Sequence, residues 1–143
     1  MNIALLAEKL GWHFERWGKS VSQRSDLDKV FLSDPSRHNV DMVRGYLGNK
    51  LVAVYDSPEA LFRENEVEIT IVDTAPFRTP DMVQASLEAG VSVIVEKPAA
   101  TSPEAYAPLV ELADSKGLLL AISLMETPAV REAIKIVAEG PLG

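Results

Sequence analysis

Cysteine is absent from this chain of 143 residues, which excludes disulfide frameworks, thiolate zinc sites and cysteine nucleophiles. Histidine is scarce as well: His13 and His38 are the two present, too few for a histidine-built metal cluster, and no metal site is expected. Positive charge is also short, with 14 basic residues against 21 acidic ones and a net charge of −7. That imbalance repels nucleic acid and anionic membrane surfaces at long range, so neither is expected as a partner. No apolar run approaches the roughly 20 residues of a membrane span. The N-terminus has no basic region followed by an apolar stretch and a small-residue cleavage site, so no secretory signal is expected. The expectation is a cytoplasmic protein with one domain over residues 1–143, since this length falls near the usual domain size.

Short apolar runs at 3–6, 29–33, 51–54, 68–72, 91–95 and 118–122 alternate with helical patterns along the whole chain. Most runs are continuously apolar, as parallel strands covered on both faces require. The intervening segments carry helix punctuation. Thr79-Pro80-Asp81, Ser102-Pro103-Glu104, Ser57-Pro58-Glu59 and Thr127-Pro128 each offer a cap and a Pro at the first helical position. Gly90, Gly117 and Gly140 are placed to stop three of these helices. Apolar stripes follow, through Met82, Val83 and Leu87, through Tyr106, Leu109, Val110 and Ala113, and through Val130, Ala133, Ile134 and Val137. Val40, Val43 and Leu47 mark a less regular helix between Asp34 and Gly48. This alternation predicts an α/β fold, a doubly wound and mostly parallel six-stranded sheet with strand order 3-2-1-4-5-6.

In such a sheet, ligands bind beyond the carboxyl ends of the strands, where strand order reverses. The loop after the first strand reads Ala7-Glu8-Lys9-Leu10-Gly11-Trp12-His13. A dinucleotide site wants G-x-G-x-x-G here so that the backbone can approach a pyrophosphate. Gly11 alone is present, and Glu8 brings negative charge to the place. The loop also reads as a plain strand-to-helix turn with Trp12 and Trp17 packed inward. After the second strand, Asp34 can accept from ribose hydroxyls, with Arg37 suited to a 2′-phosphate, or Asp34-Pro35 can simply start the next helix. His38 reads as a solvated helix residue. The 74–76 loop, with the Thr74 hydroxyl, can lie along a cofactor or be a capped turn. Glu96-Lys97-Pro98 ends the fifth strand. Lys97 there is costly to bury unless it serves a site with Glu96 holding its charge, or else the two form a surface ion pair.

From Lys29 onward the chain resembles the nucleotide-binding domain of the Gfo/Idh/MocA oxidoreductases, relatives of glucose–fructose oxidoreductase and inositol dehydrogenase. The resemblance rests on Val30-Phe31-Leu32-Ser33-Asp34-Pro35, Tyr55-Asp56-Ser57-Pro58-Glu59-Ala60-Leu61, Thr74-Ala75-Pro76, Ser86-Leu87-Glu88-Ala89-Gly90, Val95-Glu96-Lys97-Pro98-Ala99 and Thr127-Pro128-Ala129-Val130-Arg131. Glu-Lys-Pro after a strand is the most specific of these. The resemblance implies a Rossmann-like domain and hydride transfer between NAD or NADP and a sugar- or polyol-type hydroxyl. It implies a catalytic role for Lys97 near nicotinamide and substrate. The candidate cofactor contacts, by their places beyond the strand ends, are Gly11, Asp34, Thr74, Ala75, Pro76, Glu96 and Lys97.

The departures from the family pattern shape the remaining expectations. The glycine fingerprint is missing, Thr79 stands where a His is usual, and Met125-Glu126-Thr127-Pro128 replaces the Arg-Asn-Pro region. The family's second, mostly antiparallel domain is not in this chain, which reads as a truncated form or a Rossmann-only relative. The isolated chain is therefore expected to be catalytically inactive and to bind NAD(H) weakly or undetectably. It is expected to self-associate, or to take a partner chain, over the face such a domain would cover. The rival reading is a non-enzymatic binding or assembly module that has lost the cofactor. A third is a doubly wound domain that takes another nucleotide or small anion at its helix N-termini.

Overall fold

The computed structural model describes residues 1–11, 13–123 and 128–138. Six strands, β1 (Asn2–Ala7), β2 (Lys29–Ser33), β3 (Leu51–Tyr55), β4 (Ile69–Asp73), β5 (Ser92–Glu96) and β6 (Leu120–Ser123), form one sheet. Its order is β3-β2-β1-β4-β5-β6, and every pairing is parallel. The helices are α1 (Phe14–Ser22), α2 (Val40–Leu47), α3 (Pro58–Glu64), α4 (Thr79–Glu88), α5 (Pro103–Lys116) and α6 (Pro128–Ala138), with a short 3-10 turn at Gly48–Lys50. The predicted strand order and fold class are those observed. The sheet reverses between β1 and β4, which pair in register from Ile3 with Ile69 to Ala7 with Asp73.

Alternation along each strand sends side chains to two cores. Ala4, Leu6, Phe31, Val72, Val93 and Val95 face α3, α4 and α5 and pack on Leu61, Val83, Leu87 and Leu109. Ile3, Leu5, Val30 and Leu32 face α1 and α2 and meet Phe14, Val21, Val43 and Leu47. Both faces are thus apolar, which is why the strands read as continuous apolar runs.

The serine caps form as the sequence implies. Ser57 Oγ accepts from Ala60 N at 3.2 Å and Ser102 Oγ accepts from Ala105 N at 3.3 Å, with Pro58 and Pro103 next in line. Ser57→Ala is expected to destabilise the protein by about 1 kcal/mol, because one helix amide loses its acceptor. A shifted urea midpoint at constant slope checks this.

Several local expectations are corrected. Thr79 is inside α4 rather than at its cap, because the 74–77 turn already satisfies the first amides: Arg78 N and Thr79 N both donate to the Ala75 carbonyl. Asp34-Pro35 does not start α2, whose cap position is Asn39. His38 is exposed in the turn before α2 rather than in a helix. Val110 is 38% exposed, and Leu112 packs on the core instead. On α6, Ile134 and Val137 are 58% and 66% exposed, so these two residues of the expected stripe are not buried. The expectations for Trp12, for Met125, Glu126 and Thr127, and for Gly140 lie outside the described residues, as do those for the side chains of Val130 and Ala133. Among the described residues, no helix is long and apolar enough to cross a membrane.

Candidate functional site

The carboxyl ends of β1, β4 and β5 meet at one edge of the sheet and shape a cleft of about 360 Å³. Leu10, His13, Asp73, the 74–76 loop, Phe77, Lys97 and Pro98 line it. Parallel pairing causes the convergence: β1 and β5 both flank β4, so the three loops that follow them open on the same side.

Gly11 brings the first loop down on β4. A Cβ at Gly11 would stand 2.3 Å from the Asp73 carbonyl oxygen and 3.1 Å from its carbon. Only glycine permits that approach, which is the close helix–strand packing asked of the last glycine in a dinucleotide loop. Counting back three positions puts Glu8 where that pattern has its second glycine, the one that lets backbone approach a pyrophosphate.

Carboxylates dominate the floor of the site. Asp73 Oδ2 accepts from His13 N, just before α1, at 3.1 Å. Glu8 Oε1 accepts from Ala75 N at 2.6 Å. Glu96 Oε2 accepts from Trp17 Nε1 at 3.1 Å, and Glu96 Oε1 lies 3.5 Å from His13 Nδ1. Asp73 is buried, and its carboxyl is pushed up to about 6, chiefly by burial and then by the nearby Glu96 charge. The His13 N–H, the His13 ring and Lys97 oppose that rise.

The residues singled out from sequence divide into three groups. Gly11, Thr74, Ala75, Pro76 and Lys97 border one cleft or its floor, with Glu96 directly behind. Thr74 Oγ1 lies 3.0 Å from Thr79 Oγ1 rather than standing free. Lys97 is exposed at the rim, so burial imposes no large cost on it. Glu96 does not hold the Lys97 ammonium: it accepts from the Lys97 backbone N–H at 3.1 Å, while its carboxylate faces His13 and Trp17. The Lys97–Pro98 peptide is cis.

Asp34 stands apart. It is fully buried, and its oxygens accept from Ser36 N and Oγ and from Asn39 N and Nδ2. Those four bonds brace the turn before α2 and present no exposed oxygen. Arg37 is tied to Asp56. Trp17 is half-buried against the α1 side core, in line with inward packing.

His13, Leu10, Phe77 and Asp73 were not singled out from the sequence as site residues. The signal for them is positional: His13 follows Gly11 by two, and Asp73 precedes the 74–76 loop. Among the described residues, no three His, Asp or Glu side chains are grouped to hold a metal ion.

A doubly wound sheet whose cleft lies at the strand-order reversal, with a glycine-tight first loop, belongs to the class of nucleotide-binding α/β domains. Comparison with known proteins narrows the class. The profile of an oxidoreductase family with an NAD-binding Rossmann fold, Gfo/Idh/MocA, matches residues 10–124, and the chain belongs to that family. An uncharacterised oxidoreductase of Schizosaccharomyces pombe is 37% identical over 71 residues, which is 50% of this chain and 19% of that protein.

Among solved structures, myo-inositol 2-dehydrogenase from Lactobacillus plantarum superposes with a TM-score of 0.84 at 18% identity, over 100% of this chain and 42% of its own. Scyllo-inositol dehydrogenase from Lactobacillus casei, solved with bound NAD(H) and scyllo-inositol, gives 0.84 at 15% identity with the same coverage. At these identities the likeness shows the fold. The chain spans about two fifths of the length of those dehydrogenases.

Proposed function

We propose that this chain binds NAD(H) across the carboxyl edge of β1, β4 and β5 and supplies the cofactor half of an oxidoreductase acting on a polyol-type hydroxyl. The observation that carries the reading is the cleft at the sheet reversal, where the tight Gly11 loop, the 74–76 loop and Lys97 border one space. The family supports the cofactor, and the inositol dehydrogenases among the neighbours support the substrate class.

The apolar lining from Leu10, Phe77 and Pro98, with Lys97 at the rim, fits a nicotinamide ring and a hydroxyl-bearing substrate. The diphosphate end fits less well, because Ala75 N and His13 N already hold carboxylates. Hydride exchange is the chemistry of the dinucleotide itself. Lys97 stabilises negative charge on the substrate oxygen and exchanges its proton. Glu96 fixes the Lys97 backbone and orients His13. The Arg37–Asp56 pair leaves Arg37 engaged, which favours NAD over NADP.

The reading takes residues 1–143 as one domain in the cytoplasm, where a cysteine-free chain needs no oxidising compartment. Leu10 and Phe77, 52% and 65% exposed at the cleft rim, support a covering surface from a second copy or a partner chain.

Calorimetric titration tests the cofactor reading. NADH is expected to bind with a dissociation constant on the order of 0.1–1 mM, more tightly than NADPH, and Lys97→Ala is expected to weaken it. Failure of millimolar NADH to bind overturns the reading. That result, together with a defined oligomer by light scattering, would favour the non-enzymatic assembly module, whose support is the occupied state of the two loop amides.

A further inference from the structure

We propose that Glu8 is a built-in competitor for the cofactor's phosphates: its carboxylate rests on the Ala75 amide, and an anionic dinucleotide binds only when that side chain swings out. The inference rests on the NAD(H) reading and adds to it the residue that sets affinity. Glu8 leaves the end of β1 and Ala75 follows the end of β4, the two strands between which the sheet reverses. In that crevice, backbone amides are the natural donors to a diphosphate. The Glu8 oxygen, 2.6 Å from Ala75 N, takes the place of a phosphate oxygen there.

Two features make Glu8 the movable part. Its own carbonyl is held from both sides, accepting from Gly11 N at 3.1 Å and from Asn39 Nδ2 at 3.2 Å, so the backbone stays while the side chain turns. Its three side-chain torsions allow the carboxylate to return to water, since the residue is half-buried and Lys9 and Leu10 after it are exposed. Asp73, which covers the other amide at His13, sits on a shorter side chain at a strand end and is buried, so it remains in place. A phosphate approaching with Glu8 in position meets a like charge and a donor already engaged, both of which oppose binding.

The test is calorimetric titration of NADH into the wild-type chain, Glu8→Gln and Glu8→Ala, with thermal melts of all three. Glu8→Gln removes the charge and keeps the shape; Glu8→Ala also frees the amide. Glu8→Ala is expected to bind NADH at least about tenfold more tightly than the wild type, the equivalent of one charge-assisted hydrogen bond no longer contested. Glu8→Gln is expected to bind more tightly than the wild type by a smaller factor, since its amide oxygen still accepts from Ala75 N. A wild type that binds NADH, with both variants equal to it or weaker, overturns the inference and leaves the cofactor reading standing. Weaker binding together with lower melting temperatures would make Glu8 a loop brace and overturns it as well. No binding by any of the three overturns both the inference and the reading beneath it.

Discussion

Gly11→Ala is expected to destabilise the protein by about 3 kcal/mol, through a clash with backbone that has no room to give. The new Cβ would meet the Asp73 carbonyl oxygen at 2.3 Å and its carbon at 3.1 Å. Both are backbone atoms of a strand paired on either side, by β1 and by β5, so neither can yield without disturbing the sheet. The first loop must lift instead, which separates His13 N from Asp73 and moves Glu8 off Ala75. Gly45→Ala is the matching control. That glycine lies in α2 with nothing within 4 Å of the place its added methyl would take, so alanine there is expected to be neutral or stabilising by about 0.5–1 kcal/mol through helix propensity. Urea midpoints of the two variants and the wild type check the contrast. Gly11→Ala within about 0.5 kcal/mol of wild type would mean that the loop is not seated on β4.

Asp73→Asn is expected to stabilise the protein above neutral pH by about 1–2 kcal/mol and to leave it unchanged near pH 4. The Asp73 carboxyl titrates at about 6 in the folded chain against 3.8 for an ordinary aspartate, so the folded state binds this proton more tightly than the unfolded state. Its contribution to stability is therefore fully present below about pH 4 and is lost as pH rises through about 6. The difference between 3.8 and about 6 corresponds to at most about 3 kcal/mol, reduced here because one edge of the carboxylate borders the open cleft. Asparagine keeps an oxygen for His13 N and carries no charge to bury or to set against Glu96. Denaturation of both proteins at pH 4, 6 and 8 measures the effect. Equal pH dependence in wild type and variant would show that Asp73 is not the group responsible.

The order of elements, their parallel pairing and the place of the cleft were legible in the sequence by itself. Runs such as 3–6, 30–32 and 93–95 are apolar throughout because both sheet faces are covered, and Ser57-Pro58 and Ser102-Pro103 declare helix starts through contacts spanning three residues. Local signals of that kind survive in any context that preserves the local backbone. The Glu96-Lys97-Pro98 edge was legible for the same reason, since it is one strand end followed by a turn.

Which partner each polar group takes was decided only by the tertiary structure. Glu8 meets Ala75 across 67 positions, His13 meets Asp73 across 60, and Trp17 meets Glu96 across 79. None of these pairs has a sequence period; each exists because β4 inserts between β1 and β5 and carries their loops to one edge. Asp34 could equally have served a ribose or a turn when read from sequence, and its burial among Ser36 and Asn39 donors followed from how the chain turns before α2. Glu96 likewise stands beside Lys97 in sequence yet turns its carboxylate to His13 and Trp17, because α1 packs against that end of the sheet and water does not have to be its partner. Charge and hydrogen-bonding capacity are properties of the residues, whereas the donor that satisfies each acceptor is a property of the assembled sheet.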